Sequence, residues 1–176
     1  GDFNVAVGKD ALRYFVATNN TAVGADALQG ASGSSTGSNN TAVGKSALAA
    51  NTTGASNTGV GQGALTANTT ASYNTAIGDA ALDANTTGSG NVAVGSGALT
   101  ASNADYNVAV GQNALLSNTT GVRNVALGRQ ALEQNTTGQY NCALGYSSLE
   151  ENTTASNNTA IGYKALEANT TADNNT

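Results

Sequence analysis

The side chains that could do chemistry in this chain are few and lie in rows rather than in clusters. The 176-residue sequence has no His, and its single cysteine is Cys142. Acidic residues recur at one phase of a repeat, at Glu133, Glu150 and Glu167. A carboxylate row can hold a hard cation weakly, but a solvated edge is the interpretation that we favour. Without a nucleophile and base at a unique place, we expect no enzyme activity, no cofactor and no metal site.

A second row consists of threonines. The triplet Asn-Thr-Thr recurs along the chain, and its second threonine would form a column of hydroxyl and methyl groups. This column comprises Thr53, Thr70, Thr87, Thr120, Thr137, Thr154 and Thr171. It indicates either an ice-binding surface or, as we favour because the two threonines are adjacent, turns closed by side-chain-to-backbone hydrogen bonds. The triplets are also N-glycosylation acceptor sequences, as are those at Asn19, Asn39 and Asn157.

Most tyrosines are also in phase with the repeat. Tyr73, Tyr106 and Tyr140 each precede the asparagine that opens a unit, whereas Tyr146 and Tyr163 each follow a glycine. Exposed tyrosine on a rigid support is typical of a contact with a carbohydrate or a protein. The alternative is that each ring covers a neighbouring unit at the edge of a subunit. These tyrosines and the threonine column are the candidate binding residues.

The composition excludes several classes of protein. Hydrophobic residues make up 39% of the chain, but only two are Phe and none is Trp or Met, so a thick core is not expected. The net charge of −5 would repel nucleic acid and anionic membranes. No apolar run approaches the ~20 residues that span a bilayer. We therefore expect no nucleic-acid partner and no membrane insertion within this segment.

One short unit positions all of these rows. It reads Asn-Thr/Val-Ala-Val/Ile/Leu-Gly-x-x-Ala-Leu, with minor variations, and begins at Asn4, Asn20, Asn40, Asn57, Asn74, Asn91, Asn107, Asn124, Asn141 and Asn158. Most units have the same length, and the longest runs from Asn20 to Asn39. β-branched residues two positions apart, as at Val108 and Val110, indicate a strand. Each unit is therefore predicted to form a strand, a turn, a short second strand and another turn.

Stacking of these units predicts an all-β, parallel β-solenoid of about ten 17-residue coils. Residues 1–176 would form a single domain, cut from a longer fibrous protein. The asparagine that opens each unit should form an amide ladder, and the extra residues between Gln29 and Gly37 should leave the coil as a loop. A glycine follows the aliphatic residue of each unit, where a corner needs positive φ or close backbone approach. These glycines are Gly8, Gly24, Gly44, Gly61, Gly78, Gly95, Gly111, Gly128, Gly145 and Gly162.

The strand alternation leaves two arrangements open. Either alanine fills a narrow coil and the aliphatic row forms a subunit interface, or the aliphatic row is inside and alanine is outside. Each coil has too few large apolar side chains to offset the ordering of its backbone, so burial between chains is expected. If the aliphatic row forms a subunit interface, copies of Cys142 lie close together, whereas a cysteine inside one coil would be inert.

The units also resemble those of a known family. Asn-Thr-Ala-Val/Ile-Gly-x-x-Ala is similar to the head repeat of YadA-like trimeric autotransporter adhesins. The longer Asn-Thr-Ala-Ile-Gly-Tyr-x-Ala-Leu, found here at residues 158–166, and Asn-Thr-Thr-Gly resemble repeats of bacterial and phage tail-fibre-like proteins. The resemblance covers residues 4–176, although the 17-residue unit is longer than that of those adhesin heads.

This resemblance implies a homotrimer of left-handed β-rolls that serves attachment outside the cell or at its surface. A cell-surface protein or a glycan would be the receptor. We therefore expect a structural and adhesive module of an extracellular fibre or surface adhesin, shaped as a rigid rod. The alternatives are an ice-binding β-solenoid with stacked threonine rows and a phage or injection-system tail fibre.

Overall fold

The chain forms an all-β parallel solenoid with one short strand in each unit. The computed structural model describes residues 2–31 and 35–176, and none of these residues is helical. The strands are β1 Val5–Val7, β2 Thr21–Val23, β3 Thr41–Val43, β4 Thr58–Val60, β5 Thr75–Ile77, β6 Val92–Val94, β7 Val108–Val110, β8 Val125–Leu127, β9 Cys142–Leu144 and β10 Thr159–Ile161. They form one 10-stranded sheet in chain order, so each coil pairs only with its neighbours. The predicted solenoid is confirmed.

The strands keep the same register although the units differ in length. Val92 pairs with Val108 across one of the shortest units, and Thr21 pairs with Thr41 across the longest. The differences in length are therefore absorbed outside the sheet. In the longest unit, residues 32–34 of the predicted loop lie outside the described residues. Ser35, which follows them, is buried and forms a parallel bridge with Phe15.

The predicted second strand is wrong, because consecutive tight turns replace it. In the eighth unit, the Ala131 backbone N–H donates to the Gly128 carbonyl at 3.2 Å and closes the first turn. Gln130 and Leu132 both have left-handed backbone conformations, with φ of 61° and 53°. An extended strand needs strongly negative φ at each residue, so this segment cannot continue as a strand. The Leu132 N–H instead reaches the next coil, at the Ser148 carbonyl 3.0 Å away.

Alanine and leucine fill the interior of the solenoid. In the eighth unit, Ala126 of the strand and Ala131 and Leu132 of the turn are all inaccessible to solvent. The other inner units repeat this pattern, with Gly59 and Ser148 in place of two of the alanines. The aliphatic residue that ends each strand points away from this core. Of the two arrangements left open by the sequence, the structure therefore has alanine inside and the aliphatic row outside.

Two ladders of buried asparagine run through the interior. In the first ladder, the Asn124 N–H donates to Asn107 Oδ1 at 2.9 Å, and Asn124 Nδ2 donates to the Gly138 carbonyl at 2.8 Å. The predicted ladder is thus present, with backbone N–H groups as the donors to its side-chain oxygens.

The second ladder is made by the Asn-Thr-Thr triplets, which the sequence indicated only as turns. Asn135 Nδ2 donates to Asn118 Oδ1 at 2.8 Å and, closing its own turn, to the Gly138 carbonyl at 3.1 Å. The two ladders therefore meet at the Gly138 carbonyl, whose two lone pairs each accept one amide.

Candidate contact surfaces

The corner glycines bring the coils close enough to place all surface columns in register. Gly78 has φ of 140°, and a Cβ atom there would lie 2.6 Å from the carbonyl carbon of Gly95 in the next coil. Both predicted reasons for glycine, positive φ and close backbone approach, are therefore present. Gly162 lies in the last coil and has φ of 130°, and with no following coil, no atom lies within 4 Å of the position a Cβ atom would take.

The outer face of the sheet carries an aliphatic row along its whole length. We define this row as the residue that ends each strand: Val7, Val23, Val43, Val60, Ile77, Val94, Val110, Leu127, Leu144 and Ile161. Leu127, Leu144 and Ile161 are 37%, 42% and 67% exposed, whereas Val94 and Val110 are half-buried. Cys142 is half-buried on the same face of β9 as Leu144. A contiguous apolar surface of this kind is typical of an interaction site.

A column of tyrosine and arginine lies beside the start of the strands. Tyr106, Arg123 and Tyr140 occupy successive coils, and the Arg123 guanidinium carbon lies 5.5 Å and 5.7 Å from the two ring centroids. Arg123 Nη1 also donates to the Tyr140 hydroxyl at 3.2 Å. Tyr73 belongs to the same column but is separated from Tyr106 by Gly90. Stacking and hydrogen bonding fix the guanidinium plane between two exposed rings.

A second column lies beyond the other end of the strands. The rings of Tyr146 and Tyr163 are stacked, with centroids 5.5 Å apart and planes inclined by 12°. Arg129 Nη1 donates to the Tyr146 hydroxyl at 3.2 Å, and Lys164 Nζ lies 5.9 Å from the Tyr163 centroid. The predicted tyrosines are therefore all exposed, in two columns that flank the aliphatic row.

Sequence reasoning missed the arginines of these columns. Their signal was available, because Arg123 lies 17 residues before Tyr140, and Arg129 lies 17 residues before Tyr146. In a solenoid with this repeat length, such residues are neighbours on adjacent coils.

The two threonines of each triplet have different roles. The first uses its hydroxyl within the fold, as when Thr136 Oγ1 donates to the Thr153 carbonyl at 2.9 Å. The second, such as Thr137, is exposed, and among the described residues its hydroxyl makes no hydrogen bond to another protein group. The exposed threonines form a single row, and it is interrupted where the shorter unit has Asn103. The favoured interpretation as turn chemistry fits the first threonine only.

Neighbouring side chains bind two members of the acidic row. Glu133 is buried and accepts hydrogen bonds from Asn113 Nδ2 at 3.2 Å and Gln130 Nε2 at 2.9 Å. Glu167 forms an ion pair with Lys164 at 2.6 Å. In the part of the chain that the structure describes, no group of three or more acidic or cysteine side chains could hold a metal ion.

The described residues also form no pocket, and no helix among them is long and apolar enough to cross a membrane. The fold and its surfaces define a parallel β-solenoid repeat protein whose exposed side chains are arranged in columns along the coils. No protein-family model matches the chain, and no curated protein matches it closely enough to count as a relative.

Proposed function

We propose that this chain is a structural and adhesive module of an extracellular fibre or surface adhesin. It would act as a rigid rod, assembled as a homotrimer of left-handed solenoids as the sequence resemblance implies. The observation that carries the proposal is the aliphatic row, which runs along one side of every coil and is incompletely covered in a single chain.

The assembly follows from the need to cover this row. Coils that repeat every ~4.8 Å place its side chains in an unbroken line along the sheet. Monomeric proteins rarely leave such a surface in water. If three parallel chains pack around one axis, each row contacts the rows of the other two, and the same contact is repeated until the ring closes. Among the inner strands, Leu144 and Ile77, at 42% and 41% exposure, gain most from this burial.

The adhesive role rests on the tyrosine and arginine columns. Tyrosine and arginine are enriched where proteins make energetically important contacts. Here they are held in place by stacking, so little conformational entropy is lost when a partner binds. The rod has no pocket among its described residues, so recognition would use these exposed columns. A glycan or a protein at a cell surface would be the receptor.

Cross-linking through Cys142 tests the assembly. In a trimer built around the aliphatic row, copies of Cys142 on neighbouring chains are within reach of a short bis-maleimide reagent. Native protein should then give a dimer band on a denaturing gel, and Cys142→Val should give none. A native thiol that reacts only after unfolding, with no dimer band, would contradict the placement of the row at the axis.

The adhesive role is tested by binding to cells and to immobilised glycans. Replacing Tyr146 and Tyr163 together with serine should abolish binding by this column, whereas Thr154→Ser in the exposed threonine row should not. Circular dichroism should show the same fold for all three proteins. Unchanged binding by the variant that lacks Tyr146 and Tyr163 would exclude this column as the contact surface.

Ice binding is the second candidate function, and it would rest on the exposed threonine row. Its spacing along the coils is regular, but the neighbouring threonine donates its hydroxyl to a backbone carbonyl in most triplets. A single interrupted row offers less lattice matching than paired rows, so we expect no thermal hysteresis beyond that of a control protein. Activity that Thr137→Tyr abolishes would make ice binding the better proposal.

A further inference from the structure

The fold divides the N-glycosylation acceptor sequences of this chain into two groups. The buried group starts Asn-Thr-Thr, at Asn51, Asn68, Asn85, Asn118, Asn135, Asn152 and Asn169; the surface group starts Asn-Asn-Thr, at Asn19, Asn39, Asn157 and Asn174. Both have the Asn-x-Thr pattern, and the chain has no proline to block it. In an unfolded chain the two groups are therefore equivalent substrates.

Asparagines of the buried group form the second ladder. All but the last of them are inaccessible to solvent. Asn152 Nδ2 uses both of its hydrogens, donating to Asn135 Oδ1 at 2.8 Å and to the Ala155 carbonyl at 3.1 Å. Attachment of a sugar to this nitrogen removes one hydrogen and places a polar ring inside a coil packed with alanine and leucine. The coil can accommodate neither change.

Asparagines of the surface group lie in the column that also carries Tyr106 and Tyr140. Asn39 and Asn157 are exposed and have left-handed backbone conformations, with φ of 62° and 60°. Neither side-chain amide makes a hydrogen bond to another described residue. The threonine of each acceptor sequence, Thr41 or Thr159, is half-buried at the start of a strand. A sugar on these amides would extend into solvent and leave both ladders intact.

We propose that the folded solenoid carries N-linked sugar only at the surface group. We also propose that a sugar added to the buried group before folding prevents neighbouring coils from stacking. In the transfer, Nδ2 attacks the anomeric carbon of a nucleoside diphosphate sugar and an N-glycosidic bond forms. The bond from that carbon to the diphosphate breaks, the nucleoside diphosphate leaves, and Nδ2 loses one hydrogen as a proton.

This inference limits how the protein can be made, whatever its function. A route that glycosylates Asn-x-Thr while the chain is still unfolded would modify the buried group and block folding. Folding of the wild-type chain therefore requires that no such enzyme acts on it before its coils have stacked.

The test compares a glycosyltransferase that acts on the chain before folding with one that acts after folding. A soluble enzyme that transfers one hexose to Asn-x-Thr is either co-expressed with the chain or added to purified, folded protein. Peptide mass spectrometry then gives the occupancy of every acceptor. On folded protein, hexose should appear at Asn39 and Asn157, and occupancy at Asn135 should be at least about tenfold lower, because modification there needs local opening. Co-expression should modify Asn135 and yield insoluble chain, whereas an inactive enzyme should not.

A variant distinguishes the effect of glycosylation on solubility from any other effect of co-expression. Replacing the exposed second threonine of every triplet with valine removes the acceptor sequences of the buried group and leaves their asparagines in place. This variant should remain soluble on co-expression and carry hexose on the surface group alone. If this variant is insoluble even without the enzyme, the hexose occupancies measured on folded wild-type protein still test the proposal. Similar occupancy at Asn135 and Asn157 in folded protein, no hexose at the surface group, or soluble wild-type chain modified at Asn135 would each overturn the proposal.

Discussion

The corner glycines satisfy two requirements that can be separated by mutation. Gly128 has φ of 138°, and a Cβ atom there would lie 2.6 Å from the carbonyl carbon of Gly145. Gly162 has a similar φ of 130° but no neighbouring atom within 4 Å. The same substitution therefore meets backbone strain at both positions and a backbone clash at only one.

We expect Gly128→Ala to lower the free energy of unfolding by about 3–5 kcal/mol, from strain and overpacking together. Gly162→Ala should cost about 1–3 kcal/mol, from strain alone. Urea denaturation of the two variants gives the comparison. Equal losses would mean that close approach of the coils does not determine the choice of glycine.

Burial of Asp83 predicts the sign of one pH dependence of stability. Burial raises the pKa of its carboxyl above the ordinary 3.8, and the nearby Asp79 carboxylate raises it further, against opposing backbone hydrogen bonds. Its Oδ1 has no hydrogen-bond partner among the described residues. The folded protein therefore binds this proton more tightly than the unfolded chain does. Its contribution to stability is present in full below pH 3.8 and is lost as the pH rises through the folded-state pKa.

Asp83→Asn, which stays neutral, should therefore be more stable than wild type at pH 7, and its advantage should shrink at pH 4. The difference between the thermal denaturation midpoints of Asp83→Asn and wild type, taken at each pH, measures this advantage. Glu151→Gln, at an exposed position, serves as the control and should show no such trend. An advantage of Asp83→Asn that grows on acidification would contradict the assigned direction.

At the residue scale, the sequence predicted the glycines, the first asparagine ladder and the phase of the tyrosines. All three follow from residue type repeated at a constant spacing. The sequence did not predict left-handed backbone conformations at leucines such as Leu132, because a leucine residue disfavours this conformation when no tertiary contact holds it there. They persist here because the Leu132 side chain is buried and its N–H is bonded to the next coil. That constraint comes from stacking, which no single unit contains.

At the scale of the repeated element, the buried asparagine ladders hold adjacent coils together. Asn135 donates two hydrogen bonds through Nδ2, and its Oδ1 accepts a third from Asn152 Nδ2 at 2.8 Å. Its removal leaves buried polar groups on two neighbouring coils without partners. The cost of burying such groups exceeds what a hydrogen bond itself contributes.

Asn135→Ala should accordingly lower the free energy of unfolding by about 2–5 kcal/mol. The adjacent Gln134→Ala, at an exposed position of the same coil, should change it by less than about 0.5 kcal/mol. Denaturation followed by circular dichroism compares the two variants. A loss for Asn135→Ala no larger than that for Gln134→Ala would show that the ladder contributes nothing to stability.

The element that sequence reasoning got wrong was the second strand. The sequence predicted a short second strand after the first turn of each unit. The structure closes the coil with turns, whose backbone groups bond to the next coil as strand residues would. The Asn-Thr-Thr triplet was correctly predicted to form a turn. Its asparagine can form a second ladder only when the coils stack in constant register, and the sequence alone does not show that register.

At the scale of the whole molecule, the narrow interior explains why partners are expected. Alanine and one leucine in each coil fill the core, so the larger aliphatic side chain that ends each strand has no place inside. The sequence indicated this shortage of buried surface, but it left open which strand face was internal. Placement of alanine inside leaves the aliphatic row as the surface on which the proposed homotrimer would form.

The mass of the native protein in solution tests this proposal most directly. Light scattering on the purified chain at micromolar concentration should give three times the 17.2 kDa of one chain. Leu144→Lys, which places a charge in the aliphatic row, should shift the mass toward that of the monomer while β-type circular dichroism remains. A wild-type mass of 17.2 kDa would contradict the account, because the aliphatic row would then be stable in water without a partner.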